Sequence, residues 1–230
     1  MCGRFTLRSP DRIKFGRPRY SDQLPLYALS PRYNIAPTQD VLAITEFQNE
    51  RALSLMRWGM IPSWSIEPKG FINARAETLE LKASFSESFR RRRCLIPADG
   101  FYEWKRSHKS RQPHYFQMLD EAPFAFAGIW DEWQRDGVSI TSCSIITTTP
   151  NELLAAVHDR MPVILPPDAQ DLWLHEGADL HELEKLFAPY PATAMKSFRV
   201  SSQVNKAQVD EQHLVEPLDL SQEFETGMLF

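Results

Sequence analysis

Prolines punctuate this chain from end to end, seventeen of them against nine glycines in 230 residues. Each proline fixes its own φ, removes a backbone donor and breaks a helix interior. A chain so interrupted is expected to fold into many short elements joined by stiff loops. Residues 2–7 read as a first strand, and 10–15 as a helical turn opened by Ser9-Pro10. Apolar-rich runs at 41–47 and 51–58 flank Gln48-Asn49-Glu50 as a hairpin. Further strands are expected at 94–96, 100–105, 114–119, 124–129, 138–147, 163–165 and 198–201, and helices at 76–83, 85–92, 151–157, 168–175 and 178–187. There is no internal repeat, low-complexity segment or clear linker. The pattern predicts one α+β domain over residues 1–230, built on a curved, mostly antiparallel sheet or open barrel flanked by short helices. The acidic stretch from about residue 211 is placed at the periphery, wrapped on the surface or loose.

Formal net charge is -4, so no global basic field marks the chain as a nucleic-acid binder, although a local patch can still do that work. Cys2, Cys94 and Cys143 form no CxxC pair and no metal-ligand cluster, which points to free thiols in a reducing compartment and to no metal or cofactor. Arg4 and Arg8 interrupt any apolar run at the N-terminus, and no stretch of about 18 apolar residues is present. The expectation is a cytoplasmic, nucleoid-associated monomer with no membrane partner.

Cysteine at position 2 carries distinctive chemistry. Once Met1 is removed, Cys2 becomes an N-terminal aminothiol, with an amine of pKa about 7.7–8.0 beside a thiol near 8.5. The amine condenses with an aldehyde to a Schiff base, and the thiol closes on that imine to give a five-membered thiazolidine. Only an N-terminal cysteine can form this ring. The alternative is an arbitrary residue following a start codon.

Three further segments gather polar groups. In Asn73-Ala74-Arg75-Ala76-Glu77-Thr78, Asn73 could orient an amine and Arg75 could grip a phosphate; equally, Asn73 could cap a helix and Glu77 complement its dipole. In Gly100–Lys105, strand alternation puts Phe101, Glu103 and Lys105 on one face and Tyr102 and Trp104 on the other. Desolvation would raise the Glu103 pKa and suit it to general acid work, unless this is an exposed edge strand with Glu103 salt-bridged. His158, in Val157-His158-Asp159-Arg160, reads as a proton shuttle or as a surface histidine at a helix C-terminus. The run Arg90–Arg93 and the scattered arginines, interleaved with Trp58, Trp64, Phe101 and Trp104, fit single-stranded nucleic acid, and the run fits a structural role as well.

Taken in order, MCGRF (1–5), RYNIAPTQ (32–39), WGMIPSW (58–64), NARAET (73–78), CLIPADGFYEW (94–104), TTTPN (147–151), HDRMPVIL (158–165) and VSSQVN (200–205) resemble the SRAP (SOS response-associated peptidase) family across nearly the whole chain. The resemblance implies a sensor of abasic sites in single-stranded DNA, which cross-links its N-terminal cysteine to the ring-opened sugar and shields the lesion. It carries over Cys2 as nucleophile with Asn73, Glu103 and His158 as supporting catalytic groups. The expected DNA contacts are Arg4, Arg75 and Arg160 at phosphates, with Asn34, Pro37, Trp64 and Thr148 shaping the strand path. It also implies a lyase side activity and self-cleavage after Met1, although ordinary methionine removal yields the same N-terminus. Departures are Pro31, where the family commonly has glycine, and the density of Arg90–Arg93. Two rivals stand beside this reading. A glutamine amidotransferase also begins Met-Cys-Gly but needs Arg-Gly-Pro-Asp and Asn-Gly-Glu segments that do not occur. A non-catalytic single-strand binder would be indifferent to abasic sites and to Cys2→Ala.

Overall fold

The structure is a computed structural model describing residues 2–13, 19–20, 24–48, 50–106 and 111–218. Its strands, in chain order, are β1 (Arg4–Leu7), β2 (Arg19–Tyr20), β3 (Arg32–Ile35), β4 (Asp40–Phe47), β5 (Glu50–Trp58), β6 (Asn73–Arg75), β7 (Arg93–Ala98), β8 (Gly100–Arg106), β9 (Arg111–Met118), β10 (Phe124–Arg135), β11 (Val138–Thr148), β12 (Met161–Pro162), β13 (Ile164–Leu165) and β14 (Met195–Arg199). Among the described residues four short α-helices accompany them: α1 (Ser86–Arg91), α2 (Glu152–Ala155), α3 (Gln170–Leu174) and α4 (Leu180–Lys185). None is long and apolar enough to cross a membrane.

One sheet runs β14-β9-β8-β1-β3. In the other, β7 joins β4 and β10, β4 joins β5, and β10 joins β11. A parallel contact of Arg57 and Trp58 with Ser142 and Cys143 then links β5 to β11 and closes these five strands into a barrel. The predicted open curvature is thus carried through to closure, which leaves fewer unpaired edges. Within the barrel Gly128 of β10 pairs with Cys94 of β7 on one side and Ile145 of β11 on the other. A Cβ there would press on the Cys94 sulfur and the Ile96 side chain, so the close approach needs glycine.

The 41–47/51–58 hairpin forms as expected, with Gln48 at φ 50° in its turn and Asn49 outside the described residues. The helix expected over 76–83 does not form. Residues Asn73–Arg75 are held extended against Ile145–Thr147, and only one 3-10 turn, Ala76–Thr78, follows. Helix α2 is shorter than the 151–157 expected and is capped by Asn151 itself, whose side chain accepts from the Leu154 amide. The first helical turn spans Pro10–Arg12 and ends at extended Ile13, and the remainder of that expected segment, 14–15, lies outside the described residues. The strand expected at 198–201 starts earlier, at Met195. Within the C-terminal stretch, 211–218 packs down, with Leu214 fully buried.

Two apolar clusters lie on opposite faces of β8. Phe101 stacks on Phe116 in the main core, where Phe5 meets Trp58 and Phe126 edge to face at 5.1 and 5.7 Å. Tyr102 belongs to a second cluster with Tyr115, Val200, Val204 and Leu214. The arginine run is largely structural. Buried Arg93 donates to the carbonyls of Phe89, Trp173 and His175, while Arg92 and Arg91 pair with Asp131 and Glu87.

The β7–β8 turn is pinned by a buried polar knot. Asp99, 1% exposed, accepts from Thr6 Oγ1 at 2.6 Å, from the Ser9 amide at 3.0 Å and from Arg8 Nε at 3.2 Å. Thr6 also bonds the Tyr115 hydroxyl, and that ring lies directly over Gly100, leaving no room for a Cβ. Gly100→Ala is expected to cost about 3 kcal/mol, because a rigid, hydrogen-bonded ring has to move in a filled core. Urea unfolding checks this: a midpoint equal to that of the wild type would show that the knot yields freely.

Candidate active site

The β1–β8 register pairs Arg4 with Tyr102 and Phe5 with Phe101, so the next step outward brings Glu103 beside the residues that precede β1. There Cys2 is fully buried. From the barrel side β6 presents Asn73, whose Nδ2 donates to the Cys2 carbonyl at 2.9 Å. From the turn after α2 comes His158, its Nε2 3.9 Å from Glu103 Oε2. Four residues scattered over the sequence therefore converge through three separate backbone supports.

The alternatives left open by the sequence resolve on this geometry. Asn73 is a strand residue and caps no helix; Arg75 precedes the 3-10 turn and makes no side-chain cap. The Asn73 amide holds Cys2 through its carbonyl rather than through its amine, and Asn73 Oδ1 is buried with no partner among the described residues. Strand β8 is interior, between β1 and β9, so Glu103 is no edge residue; it is 2% exposed on the Phe101 face. Burial pushes its carboxyl up to about 7. Burial also raises the Cys2 thiol far above its ordinary value, and the nearby Glu103 charge adds to the rise.

His158 Nδ1 faces two partners of opposite kind, each at 3.0 Å: the Arg160 amide, which donates, and Asp159 Oδ1, which accepts. The neutral ring takes the amide proton's bond and carries its own proton on Nε2, toward Glu103; the imidazolium donates to Asp159 instead. Among the described residues no three His, Cys, Asp or Glu side chains gather in a metal-holding group.

The flanking residues divide by exposure. Arg75 is exposed beside the site, and Trp64 stands 64% exposed on the loop between β5 and β6. That loop is anchored by alternate residues of β10. Asp131 accepts from the Ser63 amide, Trp133 Nε1 donates to the Ser65 carbonyl, and Arg135 donates to the Ile66 carbonyl. The sequence reading missed these anchors, although their i, i+2, i+4 spacing on one strand face was a usable signal. Pro37 is half-buried, ahead of Thr38 at φ 72°, whose amide bonds the Trp58 carbonyl. Thr148, nearly buried, ends β11 opposite Met161.

Arg4 and Asn34 serve the protein's own backbone. Arg4 donates to Asn34 Oδ1 at 2.9 Å and to the Val204 carbonyl at 2.8 Å. Asn34, 1% exposed, donates to the Lys206 and Val209 carbonyls and fixes the 204–209 segment. Arg160 is held by the carboxylate of Glu77 in a two-pronged pair, another partner the sequence reading did not identify.

A family model described as SOS response associated peptidase (SRAP) matches residues 1–207. The chain is 41% identical over 222 residues to the abasic site processing protein YoqW of Bacillus subtilis, covering 94% of this chain and 99% of that protein. It is 29% identical to the abasic site processing protein YedK of Escherichia coli, covering 81% and 85%. A crystal structure of a Bacteroides thetaiotaomicron protein superposes with TM-score 0.86 at 26% identity, covering 95% of this chain and all of that one.

Proposed function

Because the chain belongs to the SOS response associated peptidase family, we infer that it processes abasic sites in DNA, capturing them covalently on Cys2 in single-stranded substrates. The observation that carries this reading is the convergence of Asn73, Glu103 and His158 on Cys2. An abasic deoxyribose is mostly a closed hemiacetal, so the aldehyde must first be released. Glu103, protonated in part at neutral pH, gives a proton to the ring oxygen as the C1′ hydroxyl loses its own. The Cys2 amine, freed by loss of Met1, adds to the aldehyde and water leaves, giving the imine. Asn73 Oδ1 is the acceptor that can aim that amine, which lowers the entropic cost of attack.

The thiol reacts last. Its raised pKa keeps it protonated, so it adds to the imine carbon as its proton passes to the nitrogen by way of the Glu103 carboxylate. A group titrating near 7 gives and takes protons with equal ease, and His158 relays them to the surface through Asp159. If the imine persists, removal of the proton α to C1′ leads to β-elimination, the lyase side reaction. Arg75 and Arg160 would meet the flanking phosphates, with Trp64 offering a stacking face and Pro37 and Thr148 bordering the path, while Arg4 and Asn34 hold the 204–209 segment in place.

The test is a denaturing gel of the protein with single-stranded DNA bearing one abasic site. The expected product is a slower, heat-stable species whose mass equals Met1-less protein plus strand less one water. An intact strand, or one carrying a reduced abasic analogue with no aldehyde, gives none. Absence of the species from the wild-type reaction would overturn the reading.

A further inference from the structure

Arg160 lies two residues from His158, and its guanidinium is already occupied. Both of its terminal nitrogens donate to the two oxygens of Glu77, and Nη2 also reaches the Thr147 carbonyl. The pair is asymmetric in exposure: the Arg160 side chain is 11% exposed, Glu77 48%. Glu77 sits on the single turn after β6, two residues past exposed Arg75, so its carboxylate lies near two of the cations proposed to face the strand. A fork-shaped guanidinium binds a carboxylate and a phosphate through the same pair of parallel bonds. A phosphate arriving at Arg160 meets the fork already filled.

We propose that Glu77 is a specificity-determining residue, a carboxylate that fills the Arg160 fork in the free protein and must yield it to a DNA phosphate. The inference rests on the function proposed above and extends it to how the protein avoids intact DNA. Displacing a half-exposed carboxylate lowers the affinity for every strand equally. Only a strand with an aldehyde recovers the loss, through a covalent bond. Lesion choice then depends on capture rather than on residence.

Affinity for an intact single-stranded oligonucleotide, measured over a series of salt concentrations, tests this. Glu77→Gln and Glu77→Ala are expected to bind about fivefold more tightly than wild type at low salt, the scale of one exposed ion pair. Their log affinity should fall more steeply with log salt by about 0.7, one additional phosphate neutralised without a competing carboxylate. Intact strand should inhibit their cross-linking at correspondingly lower concentration. In an Arg160→Ala background the Glu77 substitutions should change nothing. Equal or weaker binding by both variants, an unchanged salt slope, or tightening that persists without Arg160 would overturn the role given to Glu77. Cross-linking of the wild type to an abasic strand is read in parallel. Its absence brings down the functional reading itself, whereas its presence with unaltered Glu77 variants brings down only this inference.

Discussion

Cys2→Ala is expected to abolish the heat-stable adduct while leaving reversible binding to single-stranded DNA intact. Alanine is small enough for Met1 still to be removed, so the variant retains an N-terminal amine in the same place. Asn73 Nδ2 grips the backbone carbonyl of residue 2, a contact that does not depend on the side chain. The amine should therefore still condense with the aldehyde, but the imine has no thiol to close on it and hydrolyses. Borohydride, which reduces an imine to a stable amine, should restore a cross-linked band in Cys2→Ala reactions and be unnecessary with the wild type. Strand cleavage should rise relative to capture, since a longer-lived imine has more time to lose its α proton. A heat-stable band from Cys2→Ala without borohydride would place the bond elsewhere. Loss of the borohydride band as well would mean that the amine of residue 2 is not the first nucleophile.

How much of this site could be read in the sequence depended on the range of the interaction concerned. Alternation along β8 placed Glu103 on the Phe101 face, because a strand's two faces follow directly from residue parity. Its burial was less legible, since that required knowing that β1 and β9 flank it. Asn73 looked like a helix cap because cap residues are local signals, and the parallel pairing with β11 that makes it a strand residue comes from 72 positions away. Arg4, Asn34 and Arg160 were singled out as cations and amides in suggestive motifs. Their present partners, Val204, Val209 and Glu77, are set by tertiary packing that no local pattern encodes. Barrel closure was out of reach for the same reason: the β5–β11 contact rests on two residue pairs joined across the whole length of the sheet.

Glu103→Gln should slow adduct formation by about 10²-fold or more, the usual range for a lost general acid or base, and at the same time stabilise the fold at neutral pH. The two effects share one cause. The carboxyl titrates near 7 in the folded protein against an ordinary value of 4.5, so the folded state binds the proton more tightly than the unfolded chain. Below pH 4.5 the group is protonated in both states and costs nothing. As pH rises toward 7 the unfolded chain releases the proton first, and stability declines. Above 7 the full penalty of a buried carboxylate is present, about 3 kcal/mol. Glutamine carries no such charge, so the variant's unfolding free energy should exceed the wild type's at pH 8 and match it well below the ordinary carboxyl value of 4.5. The rate profile should change in parallel. Wild-type capture needs Glu103 protonated and the Cys2 amine neutral, which gives a bell centred between about 7 and the amine's ordinary value, its alkaline fall caused by loss of the Glu103 proton. In Glu103→Gln that fall should vanish, leaving a slow rate that climbs with pH as the amine deprotonates. An unchanged bell would remove Glu103 from the proton transfer, and equal stabilities at pH 8 would show that its carboxylate is not buried at a cost.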